Sequence, residues 1–419
     1  MTATRPTIVV RMADADDLYL SWRHTDDPRQ RGVSVLPGGD VDDAVRALTA
    51  ALPDPGVPGS IETALTTGAF ADRTREHELA QALSRALLPH PLAVRLHDLH
   101  TRGIRPHLRI HPSPRVAQIP WEVLAPDPGL RLLDIADLSL LAPAGVVHTP
   151  SRTARAWSTD RQLPVVAILD PRVPGFRADS ALGSVLGRVS TPTPLTGHLS
   201  QHLTGGRLRP EADDVFQLFR RTDLDRAWLS NTLRDGASRL LYVGHVTAAR
   251  PESGQSENAE LHLACTADTT GFAAPQRTHR PLSAKDLLLG THTLTPYPVA
   301  GADLWPIPSR VALIACESGG DLRFTESLGL VAAMLHGGAE LVTATRWPLP
   351  TDLAVQRYAC APGVHPLQDA IRAVDAAHDQ DDPLTALHSW QRTRLDAWRT
   401  TGAPEHSPLL WAALATFLT

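Results

Sequence analysis

The sequence is almost without lysine. Of its 40 basic residues, Lys285 alone is a lysine, and the rest are arginine. A phosphate-binding loop closes on Gly-Lys-Ser/Thr, and Ser283-Ala284-Lys285-Asp286 has no such form. Gly-x-Gly-x-x-Gly and Gly-x-Ser-x-Gly are absent too, which removes dinucleotide binding and the serine-hydrolase elbow. Cysteine is scarce: Cys265, Cys316 and Cys360 stand far apart, with no Cys-x-x-Cys. That scatter speaks against a disulfide framework or structural zinc and for a reduced compartment. No apolar run reaches the roughly 20 residues of a membrane helix. The start, Met1 to Val10, has no signal-peptide core, so a cytoplasmic protein is expected. A net charge of −5 disfavours nucleic acid as the main ligand.

What is present describes a globular chain: 42% hydrophobic and 20% charged over 419 residues, enough for two domains. Residues 1–155 read as one α/β unit. Thr7–Val10, Leu18–Trp22 and Leu108–Ile110 have strand character, and Asp40–Leu52 and Arg73–Leu88 have helical spacing. The stretch His148–Leu163, rich in Thr, Ser, Arg and Pro, reads as a linker. Residues 156–419 then alternate strand and helix. Val165–Leu169, Arg239–Gly244, Leu261–Ala264, Val311–Ala315 and Glu340–Ala344 are the strands. Helices are expected at Thr222–Asp235 (capped by Thr222 or Asp223), Leu282–Leu288 and Glu326–His336, the last stopped by left-handed Gly337-Gly338. The C-terminal portion, His365–Ala377 and Pro383–Arg399, reads as mostly helical. Such alternation implies a parallel sheet covered on both faces.

Two strands end on reactive side chains. Leu240-Leu241-Tyr242-Val243-Gly244 runs into His245, and Val311-Ala312-Leu313-Ile314-Ala315 runs into Cys316 and then Glu317-Ser318-Gly319-Gly320. A lone cysteine usually fills space in a core, and a histidine after a strand is as easily a hydrogen-bonded core residue. The pair is more informative than either member. A thiol attacks as thiolate, and an imidazole accepts its proton. Small residues after Cys316 admit a ligand to the backbone, where the N–H groups of Cys316 and Val246 are the simplest oxyanion donors. The histidine pairs His107/His111 and His198/His202 have i,i+4 spacing. Neither carries the Glu of His-Glu-x-x-His, so solvated surface histidines are expected and no metal.

Around these residues the segment 239–352 resembles the CHAT domain, a family of caspase-like, separase-related cysteine peptidases of clan CD. The matching pieces run in order: Leu240–His245, Leu261-His262-Leu263, Pro281–Leu287, Val311–Gly319, Gly329–Ala333 with Gly337-Gly338-Ala339, and Thr345-Arg346-Trp347-Pro348-Leu349. Pro120-Trp121-Glu122-Val123-Leu124 and Ser407-Pro408-Leu409-Leu410-Trp411-Ala412-Ala413 extend the likeness on either side. It covers roughly 90–419.

The resemblance implies an α/β, caspase-like fold: a predominantly parallel sheet flanked by helices, with residues 1–155 a pseudo-protease-like region and 156–419 the catalytic domain. It implies a cysteine endopeptidase with His245 as base and Cys316 as nucleophile. No metal, cofactor, nucleic acid or membrane is needed for the chemistry. A protein or peptide substrate, self-cleavage in the loops Thr247–Asn258 or Asp268–Arg280, an activating partner protein, and service in bacterial defence or cell death belong to the same implication. Glu317, Trp347 and Asp352 become substrate-binding candidates; Trp347 also reads as a packing residue and Asp352 as a helix cap. Two departures stand out. Val246 occupies the usual glycine position after the histidine, and the acidic residue after Trp347 is displaced by about one place. A catalytically silent interaction module of the same fold is the alternative.

Overall fold

The computed structural model describes residues 5–54 and 56–419. Its strands are β1 (Thr7–Asp14), β2 (Leu18–His24), β3 (Arg31–Leu36), β4 (His107–His111), β5 (Asp137–Leu141), β6 (Val165–Leu169), β7 (Leu208–Arg209), β8 (Arg239–Val243), β9 (Val246–Thr247), β10 (Glu260–Leu261), β11 (Leu282–Ser283), β12 (Arg310–Ile314), β13 (Leu341–Thr345) and β14 (Leu414–Leu418). Eleven join one sheet in the order β3-β2-β1-β4-β5-β14-β13-β12-β8-β6-β7, and β9, β10 and β11 form a small second sheet. Most neighbours in the large sheet are parallel. The exceptions are the β1–β2, β2–β3 and β13–β14 pairs.

Every residue of β6, β8, β12 and β13 is buried, as expected of parallel strands with helices on both faces. One face of this half packs with the helix Leu330–His336, the other with Pro194–Thr204 and Pro366–His378. The other half differs. In Leu18-Tyr19-Leu20-Ser21-Trp22-Arg23-His24 buried and exposed residues alternate, so one face of β2 meets the core and the other meets water. The helices Gly38–Ala51 and Arg73–Leu87 bury Val41, Leu48, Leu79 and Leu83 in the core on the inner side. Coverage of both faces, expected from the alternation in residues 156–419, is found for β6, β8, β12 and β13.

The C-terminal portion is mostly helical, as expected, but it ends on an unexpected strand. After the helix Pro383–Thr401 the chain enters β14, an apolar Leu-Ala-Thr-Phe-Leu run that pairs antiparallel with β13 and parallel with β5. The sheet is therefore continuous across residues 155–156.

Three helix starts also differ from expectation. The helix expected from Thr222 begins at Arg226, because the Asp225 carboxylate accepts from Trp228 N at 2.8 Å. The helix expected from Glu326 begins at Leu330. The buried Asp321 carboxylate accepts from the N–H groups of Val331 (3.2 Å) and Ala332 (2.8 Å) and fixes the first turn there. A Cβ on Gly329 would lie 2.6 Å from Asp321 Oδ1, so only glycine fits beside that cap. The helix expected at Leu282 instead starts after Ser283, which serves as its cap in a Ser-x-x-Asp box with Asp286. At the far end of Leu330–His336, Gly337 keeps a right-handed conformation, and Gly338 takes the positive φ of 133°.

Candidate active site

Leu169 of β6, Val243 of β8 and Ile314 of β12 stand side by side in register. The chain beyond each of them delivers Asp170, His245 and Cys316. His245 and Cys316 are each two residues past this row, so both leave adjacent parallel strands at the same level. The strand ends are tied laterally: Asp170 N donates to Val243 O (2.6 Å) and Gly244 N to Ile314 O (3.4 Å). This carboxyl end of a parallel sheet is where open α/β folds place their reactive groups.

Cys316 opens a tight turn held by β13. Ser318 Oγ donates to Leu313 O (2.6 Å) and accepts from Thr345 N (3.0 Å), and Gly319 N donates to Thr345 O (2.9 Å). Inside the turn Glu317 adopts φ 53°, a left-handed conformation that disfavours a side chain by about 1–2 kcal/mol. The Glu317 carboxylate accepts from Gln118 Nε2 (2.9 Å) and pairs with Arg323. Glu317 is thus held by its neighbours, next to the thiol.

The electrostatics describe a neutral pair. Burial pushes the Cys316 thiol up to about 11, and the Glu317 carboxylate adds to the rise; backbone groups at Cys316 and Leu349 oppose it. Burial also moves His245 below its ordinary value. Its Nε2 lies 3.1 Å from Gly183 O, and a carbonyl only accepts, so Nε2 carries the proton. Among the described residues no hydrogen bond joins His245 to Cys316. The two are neighbours in the sheet but are not engaged with one another.

Gly183 belongs to a loop folded over the histidine and tied to Asp170. The buried Asp170 carboxylate accepts from Ser184 Oγ (2.5 Å), Val185 N (3.2 Å) and Arg220 Nη1 (3.2 Å). Arg220 Nη1 also donates to Gly183 O at 2.9 Å. A Cβ at position 183 would fall 2.2 Å from Ala178 O, so the close approach requires glycine. Asp170 and Arg220 both adopt positive φ, at 50° and 56°. Sequence reasoning passed over Asp170, although an Asp-Pro pair ending a wholly apolar strand was the available signal.

On the other side of His245, Tyr242 Oη lies 2.7 Å from His245 O and 2.9 Å from His262 O. His262 and His279 form a buried proton-ordered chain. His279 Nδ1 donates to Cys265 O (2.8 Å), His262 Nδ1 to His279 Nε2 (3.0 Å), and Thr247 Oγ1 to His262 Nε2 (2.8 Å). Burial lowers both imidazoles below their ordinary value, so both rings are neutral, and each nitrogen then has one role.

Val246 lies in β9, where it pairs with Leu261. It is absent from the residues of positive φ, so the β-branched side chain sits in ordinary strand geometry.

Two substrate-binding candidates are corrected. Trp347 is 1% exposed, donates Nε1–H to Leu409 O (2.9 Å) and stacks on Phe70 with centroids 6.2 Å apart. It packs the interior and faces no cleft. Asp352 is 7% exposed and accepts from Leu367 N (2.7 Å) and Gln368 Nε2 (3.0 Å). It caps the helix Pro366–His378, with both oxygens engaged inside the protein; Thr351 caps the helix that Asp352 itself begins.

His198 and His202 are also corrected: they are not solvated. Both lie on the helix Pro194–Thr204 and face Asp375, at 2.7 and 3.7 Å. These three side chains could be drawn as metal ligands, but the buried Arg239 guanidinium already binds both Asp375 oxygens, at 2.9 and 3.2 Å, and lies 3.4 Å from His202 Nε2. A cation in the triad would share that space with a fixed positive charge. The cluster is satisfied as an ion network.

The pattern of elements around Cys316 and His245 agrees with a known family: residues 77–418 match the CHAT domain. The chain belongs to the CHAT domain family. No curated protein matches. Among solved structures, this CHAT chain is similar to the Saccharomyces cerevisiae separase–securin complex at 2.6 Å resolution, with 11% identity and a TM-score of 0.48. The match covers 98% of this chain and 30% of that one. A second crystal of that complex, at 3.0 Å, gives 10% identity, a TM-score of 0.40 and coverage of 99% and 30%. No helix among the described residues is long and apolar enough to cross a membrane.

Proposed function

We propose that this CHAT protein is a cysteine peptidase held at rest. The observation that carries the reading is the register of β8 and β12, which brings His245 and Cys316 off neighbouring strands at one level. In the working state His245 takes the Sγ proton of Cys316, and the thiolate adds to the carbonyl carbon of a peptide. Backbone N–H groups at Cys316 and Val246 receive the oxyanion. The imidazolium then protonates the leaving amine, and water, deprotonated by His245, cleaves the thioester. Glu317, already engaged with Gln118 and Arg323, acts on the charge of the thiol more than on substrate.

The resting state follows from the hydrogen bond between His245 Nε2 and Gly183 O and from the protonated thiol. Movement of the loop around Gly183, driven by a protein partner, would free the imidazole and let the pair form. The same bond favours a second reading, a silent interaction module in which the thiol never ionises.

Labelling with a thiol-reactive peptidyl probe separates the two. The peptidase reading requires Cys316-dependent labelling that Cys316→Ala abolishes and His245→Ala slows. It also requires Gly183→Ala, which disturbs the loop, to label faster than wild type. Equal labelling of wild type and Cys316→Ala under every condition would leave only the silent module.

A further inference from the structure

The helices that cover β6, β8, β12 and β13 on both sides have no counterpart on the outer face of β3-β2-β1-β4. Strand alternation and register fix which side chains share that face. One row across the four strands is Arg31, Arg23, Val9 and Arg109; the next is Val33, Ser21, Arg11 and His111. Val35, Tyr19 and Ala13 follow. The outward set of these strands holds four arginines and no Asp or Glu, in a chain whose net charge is −5.

Three of the four arginines are not consumed internally. Among the described residues Arg11, Arg23 and Arg31 have no carboxylate partner, and Arg109 donates to the backbone oxygens of Leu418 (3.4 Å) and Thr419 (3.1 Å). Arg23 stands directly opposite Arg31 on the neighbouring strand. Like charges so placed destabilise a sheet, so the fold itself gives no reason for them. Beside them Tyr19, Val33 and Val35 are 45%, 76% and 51% exposed. Two clefts, of about 620 and 380 Å³, open on this face, and Arg11 lines both.

We infer that this face docks an extended acidic segment of a partner protein, whose side chains on the docking side are carboxylates followed by an aliphatic one. Alternate residues of an extended segment are about 7 Å apart on one side. Carboxylates at that spacing meet the rows containing Arg31, Arg23, Arg109 and Arg11, and guanidinium forks bind them in bidentate fashion. The aliphatic positions cover Tyr19, Val33 and Val35, which water now wets. A nucleic acid would leave those apolar side chains uncovered. The face does not involve Cys316, so the inference stands or falls independently of the peptidase reading.

Fluorescence anisotropy with a labelled twelve-residue peptide of two Glu-Ser-Glu-Ser-Val-Ser repeats, against a labelled DNA duplex, tests it on the full chain. Wild type should bind the peptide more tightly than the duplex, with affinity falling as salt rises. The combined Arg11→Glu, Arg23→Glu and Arg31→Glu variant, all surface positions, should lose at least about tenfold in peptide affinity. Tyr19→Ser, Val33→Ser and Val35→Ser together should weaken the peptide several-fold and leave the duplex unaffected. On wild type, hydrogen exchange should slow over residues 18–36 when the peptide is added. Absence of peptide binding, an unaltered affinity in the arginine variant, no protection over 18–36, or tighter binding of the duplex would each overturn the inference.

Discussion

Removal of one carboxylate should wake the buried thiol. Burial and Glu317 hold Cys316 near 11, two pH units above the ordinary 9.0. At pH 7.5 that leaves roughly 3 thiolates in 10,000, against roughly 3 in 100 for an unperturbed cysteine. Since only the thiolate alkylates, wild-type Cys316 should react with iodoacetamide about 100-fold more slowly than an ordinary thiol. Glu317→Gln removes the second cause of the rise, while burial remains. The rate should climb, by up to about tenfold, and its pH profile should shift towards lower pH. Peptide mapping after timed alkylation reads Cys316 separately and uses exposed Cys360 as an internal reference. Wild-type Cys316 reacting as fast as Cys360 at pH 7.5, or a Glu317→Gln rate equal to wild type, would refute the resting-state reasoning.

Other expectations follow from the same geometry. Asp170→Asn should weaken the Arg220 contact that steadies Gly183, raise probe labelling at Cys316 and lower the melting temperature, because it breaks the pairing of a buried carboxylate. Trp347→Ala should cost about 3–5 kcal/mol in urea unfolding, since it empties a fully buried site and orphans Leu409 O. Asp352→Ala should destabilise by about 1 kcal/mol, the value of a helix cap, and leave any peptide preference unchanged. Stability should also fall as pH drops from 6.5. His262 and His378 are each held near 3 by burial, so below 6.5 the unfolded chain binds protons that the folded one refuses. The loss amounts to at most ~1.4 kcal/mol per pH unit for each histidine. A flat urea midpoint between pH 6.5 and 4.5 would contradict it.

What the sequence discloses is what local pattern controls. Val165–Leu169 is observed at its predicted bounds, β8 differs by a residue at its C-terminal end, and β12 and β13 differ by one at each end, because a wholly apolar run bounded by turns has one good reading. Cys316 and His245 were legible as strand-end residues for that reason. The short strand β14 was not: Leu-Ala-Thr-Phe-Leu after a helical stretch has no period, and its partners lie far away in sequence. Two helix starts moved to the local caps Asp225 and Ser283; the other moved because its capping carboxylate, Asp321, is distant in sequence. The lock on His245 was out of reach for the same reason. It depends on Gly183, Asp170 and Arg220 meeting, and no short spacing announces that meeting.

The place of β14 has a consequence for the growing chain. β5 and β13 emerge from the ribosome well before residues 414–418, and each then shows an unpaired edge waiting for the same strand. Two half-sheets can form early, but only β14 joins them. The turn that carries Cys316 hangs from Thr345, the final residue of β13, where β14 pairs through Leu414. A nascent chain is thereby kept from completing its reactive corner until translation has passed the last strand of the sheet.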